Sequence, residues 1–96
     1  MAANFRVCRY QSEGSMHLKL LGDLDNSSAI ELIDILKKDH PGLHKIFIHT
    51  ACLEHVNQMA CGVLRSNLPS LKTHADRIAI TGEFAGRMAP TEEYLI

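Results

Sequence analysis

Residues Lys45 to His49 place Ile46, Phe47 and Ile48 in succession between polar ends, a run too short for a core helix and apolar on both of its faces. Such a run fits a strand in the middle of a sheet, covered on each side by helices or neighbouring strands. It therefore requires flanking strands and packed helices, and the rest of the chain supplies both. Phe5 to Tyr10 alternates Phe5 and Val7 with Arg6 and Arg9. Met16 to Leu21 alternates Met16, Leu18 and Leu20 with His17 and Lys19, so both stretches have the period-2 pattern of half-buried strands. Between them, the glycine and serines of Gln11 to Ser15 mark a hairpin loop.

Gly22 closes the second strand, and the stretch from Asp23 to Ser28 offers several N-caps. Ser28 and Glu31 have the spacing of a capping box, which would satisfy orphan amides at a helix start. The helix that follows carries Ala29, Ile30, Leu32, Ile33 and Leu36 on a broad apolar face, turns Glu31 and Asp34 outward, and sets Lys37 and Lys38 at the negative end of its dipole. Pro41 and Gly42 stop it. A second helix begins near Asn57 and repeats Ala60, Val63, Leu64, Asn67, Leu68 and Leu71 along one face, with Pro69 as the residue that ends or breaks it. Arg77 to Thr81 reads as a further short strand closed by Gly82. The tail has room for a short helix from Glu83 to Met88, broken by Pro90, and for an extended end at Tyr94 to Ile96. The order β-β-α-β-α-β-α implies an α/β fold: a mixed, mostly parallel sheet of four or five strands with right-handed crossovers and helices packed against it.

Ninety-six residues make one domain, expected to span 1–96, and 46% hydrophobic against 22% charged residues is too apolar a balance to stay disordered. Ten Lys and Arg against eleven Asp and Glu leave a formal charge of −1, so no net field draws the chain to nucleic acid or to anionic lipid. No basic segment followed by an apolar stretch opens the chain, and no apolar run approaches the roughly 18 residues of a membrane helix, so the expected location is the cytoplasm. Cys8, Cys52 and Cys61 are odd in number and lack CxxC spacing, which fits reduced thiols packed as small buried hydrophobes. Phe5 to Tyr10 has the character of an edge strand, and an exposed edge can pair with its own kind, so a homodimer is one expected assembly.

Residues 49 to 65 follow the central strand and open the second helix, the place where open α/β sheets put their sites. His49, Cys52, His55 and Cys61 are all zinc-ligand types within thirteen residues, but H-x2-C-x2-H-x5-C matches no established zinc spacing. A small-ligand or metal sensor built on these four therefore stands as an alternative to thiols that pack and histidines that are solvated or hydrogen-bonded. Cys61 as a nucleophile has His55 near it in sequence but no third orienting group. Asp23 and Asp25 read better as turn and cap residues than as a carboxylate pair, and His40 and His44 belong to a solvated loop. No Walker-type or GxGxxG glycine pattern is present, so no cofactor is implied and no enzyme activity is expected.

Three stretches, LKLLGDLDNSSAIELIDILKK, HKIFIHTACLEHVNQMACGVL and RIAITG, together resemble the STAS domain. That is the fold of bacterial anti-sigma factor antagonists, also found at the end of sulfate transporters, and the resemblance covers residues 5 to 88. In STAS regulators the central strand leads to a DSSG-like motif, whose second serine is phosphorylated by a kinase that is also the anti-sigma factor. Laid on that motif, this chain has Asn57, Gln58, Met59 and Ala60, with Met59 in the phosphoacceptor position. A thioether has no hydroxyl to receive the added charge of about −1.5 to −2, so the resemblance implies an unswitched or differently switched module. Ser66 and Thr50 lie nearby without aligning to the phosphosite.

What the resemblance implies is a signalling module that binds an anti-sigma factor or a related regulator. Its contact surface would comprise Asn57, Gln58, Met59, Ala60, Gly62, Arg65 and Ser66, with Met59 and Ala60 as a flat apolar centre. Nucleotide binding, attributed to some STAS proteins, is analogy at the level of fold and locates no site. The final helix of many STAS domains is short or absent here, which implies apolar sheet surface left open to another chain.

Overall fold

The computed structural model describes residues 4–38, 44–74 and 77–95. Strands β1 (Arg6–Ser12) and β2 (Ser15–Leu24) form an antiparallel hairpin around the two-residue loop at Glu13 and Gly14, in register from Arg6↔Leu21 to Ser12↔Ser15. Helix α1 (Asn26–Lys37) follows, then β3 (Lys45–His49), β4 (Leu53–Val56), α2 (Gln58–Asn67), a 3-10 segment (Leu68–His74), β5 (Arg77–Thr81), α3 (Ala85–Met88) and a 3-10 turn (Glu92–Tyr94). The five-stranded sheet runs β1-β2-β3-β5, with β4 also on β2, and every pairing except the hairpin is parallel. The mixed, mostly parallel α/β architecture expected from the element order is the one observed.

Alternation in β2 and β3 builds the core. Met16, Leu18 and Leu20 of β2, Ile46 and Ile48 of β3, and Ile78 and Ile80 of β5 are all at most 2% exposed. They share one cluster with Leu32 and Leu36 of α1 and with Leu64 of α2. Burying side chains of this size stabilises the fold by about 1.5–3 kcal/mol each. The odd-numbered partners His17, Lys19, Phe47 and His49 are only half-buried or exposed. The expectation of a central strand covered on both faces is thus corrected: helices cover one face of the sheet, and Phe47 lies on the other.

Other local readings shift for physical reasons. Strand β2 does not end at Gly22; it runs through a register irregularity between Gly22 and Asp23 to reach Leu24, where it pairs with β4. Gly22 has φ +85, and a Cβ there would collide with the Asn4 carbonyl, so a side chain at this position would be strained. Strand β4 escaped the sequence reading because four residues with only Leu53 buried carry too little alternation to register. The cap of α1 is Asp25 rather than Ser28: its Oδ1 accepts both the amide (2.8 Å) and the hydroxyl (2.7 Å) of the buried Ser28. These two bonds, the hydroxyl first, hold the Asp25 carboxyl below the ordinary carboxylate range. Ile30, placed on the apolar face of α1, is 54% exposed. Cys8 and Cys52 are exposed and only Cys61 is buried, so the reading of all three as core hydrophobes holds for one of them.

Helix α2 gives way at Leu68 to the 3-10 segment that carries Pro69. The C-terminal helix is a single turn, and Leu95 forms a parallel bridge to Ile80 of the edge strand β5. His40, Pro41, Gly42 and Ile96, named in the sequence reading, lie outside the described residues.

Candidate functional site

Two surfaces meet near the end of β3. The first is the start of α2. The Asn57 amide donates to the Leu24 carbonyl (2.9 Å), pinning the helix start to the end of β2. Its side-chain Oδ1 accepts from the amides of Met59 (2.8 Å) and Ala60 (3.3 Å), an N-cap of the kind that asparagine favours. With that phase set, Gln58, Met59, Arg65 and Ser66 are exposed, Gly62 is half-buried, and Ala60, Cys61 and Leu64 face the core.

Met59 is 69% exposed, whereas Ala60 is completely buried, so Ala60 is removed from the expected contact surface. The cause is helical phase: Ala60 lies one turn before Leu64 on the face packed against the core. An added Cβ on Gly62 would meet nothing closer than the Arg65 guanidinium at 3.7 Å, which leaves that part of the surface low and open. Arg65 donates from Nη1 to the Arg87 carbonyl, and Arg87 donates from Nη2 to the Val56 carbonyl (3.4 Å). Neither guanidinium is paired with a carboxylate among the described residues.

The second surface is the uncovered sheet face. Tyr10, His17 and Phe47 occupy laterally matched positions on β1, β2 and β3. Their rings stack at 4.7 Å per step with planes within 9° of parallel. Lys45 Nζ sits 4.7 Å over the Phe47 ring. His17 Nδ1 faces His49 Nε2 at 2.9 Å, and the two ring planes differ by 4°. A centroid separation of 5.2 Å is what imidazoles joined edge to edge through those nitrogens have, so this pair is coplanar rather than face to face. His49 Nδ1 lies 2.7 Å from the Thr81 hydroxyl. Burial lowers the His49 pKa, and the neighbouring His17 and Lys19 lower it further.

The turn after β3 is clamped to β5: the buried Thr50 donates to the Thr81 carbonyl from both its amide (3.0 Å) and its hydroxyl (2.7 Å). Gly82, at φ +98, permits the close approach, since a Cβ there would stand 2.5 Å from Thr50 Oγ1.

The four zinc-type residues do not converge. His49 is bonded to His17 and Thr81, Cys52 lies in the exposed turn, His55 pairs with Asp23 at 2.9 Å, and Cys61 is buried inside α2. Burial also pushes the Cys61 thiol pKa up, with Arg87 and Arg65 opposing it, which is the wrong direction for a nucleophile. Among the described residues no three His, Cys, Asp or Glu side chains gather as metal ligands. His17 was legible only as the polar member of an alternating strand; its partner lies 32 residues away, and only the β2–β3 register brings them together.

This topology, with a capped helix leaving the turn after β3 and β4, is that of a STAS-like domain. The anti-sigma factor antagonist SpoIIAA in its unphosphorylated form has a TM-score of 0.67 at 11% identity, covering 96% of this chain and 86% of that one. An antisigma-factor antagonist STAS domain from Rhodobacter sphaeroides also scores 0.67, at 15% identity and full coverage of both chains. A structure of Mglu scores 0.69 at 13% identity over 79% of this chain, which spans only 19% of that protein. No protein-family model and no curated protein matches the sequence. Among the described residues no helix is long and apolar enough to cross a membrane.

Proposed function

We propose that this chain is a single-domain, non-enzymatic regulatory module that binds another protein through the outward face of the first turns of α2. Asn57, Gln58, Met59, Gly62, Arg65 and Ser66 form the contact, and an anti-sigma factor or a related regulator in the cytoplasm is the partner class. The observation that carries this reading is Met59, a large apolar side chain left 69% exposed at the start of α2 in a STAS-like fold. Around it lie polar neighbours and the open position at Gly62, an apolar centre with a polar rim such as transient interfaces use. Met59 in the phosphoacceptor position leaves the helix start without a hydroxyl, so binding here is not switched by phosphate at that residue.

The test is affinity capture from the native cytosol with the wild-type chain beside Gly62→Arg and Met59→Lys. A near-stoichiometric protein captured by wild type and lost with both variants, neither of which unfolds below wild type, is the expected result. Equal capture by all three moves the contact away from α2.

A further inference from the structure

Among the described residues the edge strand β1 is left unpaired on its outer side, and its seven residues are exposed except for the half-buried Val7. Natural edges are blunted by charged side chains, a proline, a bulge or a covering segment, and of these β1 carries the charges of Arg6 and Arg9. Here β1 contains no proline or glycine and keeps an unbroken register with β2. A cavity of about 230 Å3 runs between this strand and α1, with Val7 and Ile35 among its apolar lining and Arg6, Arg9 and Lys38 against Glu31 as its charged lining. Another, of about 380 Å3, opens beside Arg9, Tyr10 and Gln11. Strand, groove and helix are thus arranged as in strand-addition sites, where main-chain bonds give affinity and alternate side chains enter pockets.

We propose that the β1 edge and the β1–α1 groove accept an extended, acidic segment of a partner protein as a sixth strand of the sheet. Charge selects that occupant. No carboxylate occurs in β1; Arg9 and Lys38 stand against Glu31 in the groove, and Arg6 adds a third cation on the other face of the same strand. A second copy of β1 paired antiparallel along its full length would set Arg9 directly opposite Arg9, which is unfavourable.

Ring geometry selects an extended peptide over a nucleic acid. The stack of Phe47, His17 and Tyr10 advances 4.7 Å per strand and ends at Tyr10, which is 54% exposed. An added strand sits at the same spacing, about 4.7–4.9 Å, so a ring on it continues the stack. Single-stranded nucleic acid uses a run of open ring faces, whereas both faces of His17 are covered by Tyr10 and Phe47 and the stack offers one open face, at Tyr10. This surface is separate from the one on α2, so either can fail without the other.

The test titrates the isotopically labelled full chain with acetyl-Glu-Val-Glu-Tyr-Glu-Val-Glu-amide, with the same peptide carrying Lys for Glu, and with a single-stranded oligothymidylate, reading amide chemical shifts. The glutamate peptide should give saturable shifts over β1 and at Glu31, Ile35 and Lys38, and the lysine peptide should bind at least about tenfold more weakly, equivalent to about 1.4 kcal/mol. A double variant, Arg9→Glu with Lys38→Glu, should reverse the preference while its spectrum stays that of a folded chain. Four results overturn the proposal: no saturable shift, an equal response to both peptides, preferential binding of the oligonucleotide, or β1 shifts that follow protein concentration without peptide.

Discussion

His17 Nδ1 and His49 Nε2 face each other at 2.9 Å across β2 and β3, while the other ring nitrogen of His49 is held 2.7 Å from the Thr81 hydroxyl. One proton between the facing nitrogens makes a hydrogen bond; a proton on each turns the contact into a repulsion. The pair therefore tolerates a single imidazolium but not two.

Titration of His49 followed by NMR should have a midpoint below the ordinary imidazole value of about 6.5. Burial is the main cause and His17 the next, so His17→Asn should move the midpoint upward without restoring it fully. A folded-state pKa below the unfolded one means that the stabilisation is complete above the unfolded value and is lost as pH falls through the folded value. Thermal unfolding should accordingly shift to lower temperature as pH drops below about 6.5, and less so in His17→Asn. A His49 midpoint at or above the ordinary value would refute the half-buried, paired geometry.

Thiol chemistry should divide the cysteines two to one. Cys8 and Cys52 are exposed, while Cys61 is buried with its thiol pKa raised. An aromatic disulfide reagent should label two thiols quickly in the native chain and the third only on unfolding, and Cys8→Ser or Cys52→Ser should each remove one fast equivalent. Three fast thiols would contradict the packing of α2.

Neighbouring positions on α2 should respond oppositely to substitution. Gly62→Ala adds a methyl group where there is space and removes the entropic cost of a helical glycine, so urea denaturation should show a gain of roughly 0.5–1 kcal/mol. Ala60→Arg forces a charge into a fully buried position and should cost several kcal/mol. A stable, folded Ala60→Arg would mean that the helix is rotated from the phase described.

Local signals and long-range ones had different fates. Met16 to Leu21 was readable as a strand from its alternation, Lys45 to His49 from its short apolar run and Arg77 to Thr81 from its short run closed by Gly82, all signals written into adjacent residues, and all three lie in observed strands. The start of α2 near Asn57 was readable from the apolar spacing that begins at Ala60, and the structure adds that Asn57 caps it through the amides of Met59 and Ala60. Strand β4 was not, because it exists through its pairing with Gly22, Asp23 and Leu24, not through any pattern of its own.

Of the expected contact surface, Met59 and Ala60 were adjacent apolar residues at a helix start, and nothing local set which of them faces outward. The angular step of 100° between them put one in solvent and the other in the core, and the absolute phase depends on which face of α2 meets α1 and the sheet. The His17–His49 pair and the ring stack lay still further from view, since both depend on the register of strands distant in the chain.

By itself, then, the sequence determined the kinds and order of every strand and helix except β4, and which residues of each strand are apolar, since periodicity and capping act over a few residues. Only the tertiary structure decided which strands are neighbours, which face of the sheet stays uncovered and which side of α2 points outward. Those outcomes depend on burying all the apolar faces at once, a condition satisfied by contacts between residues far apart in the chain and not encoded at any one position.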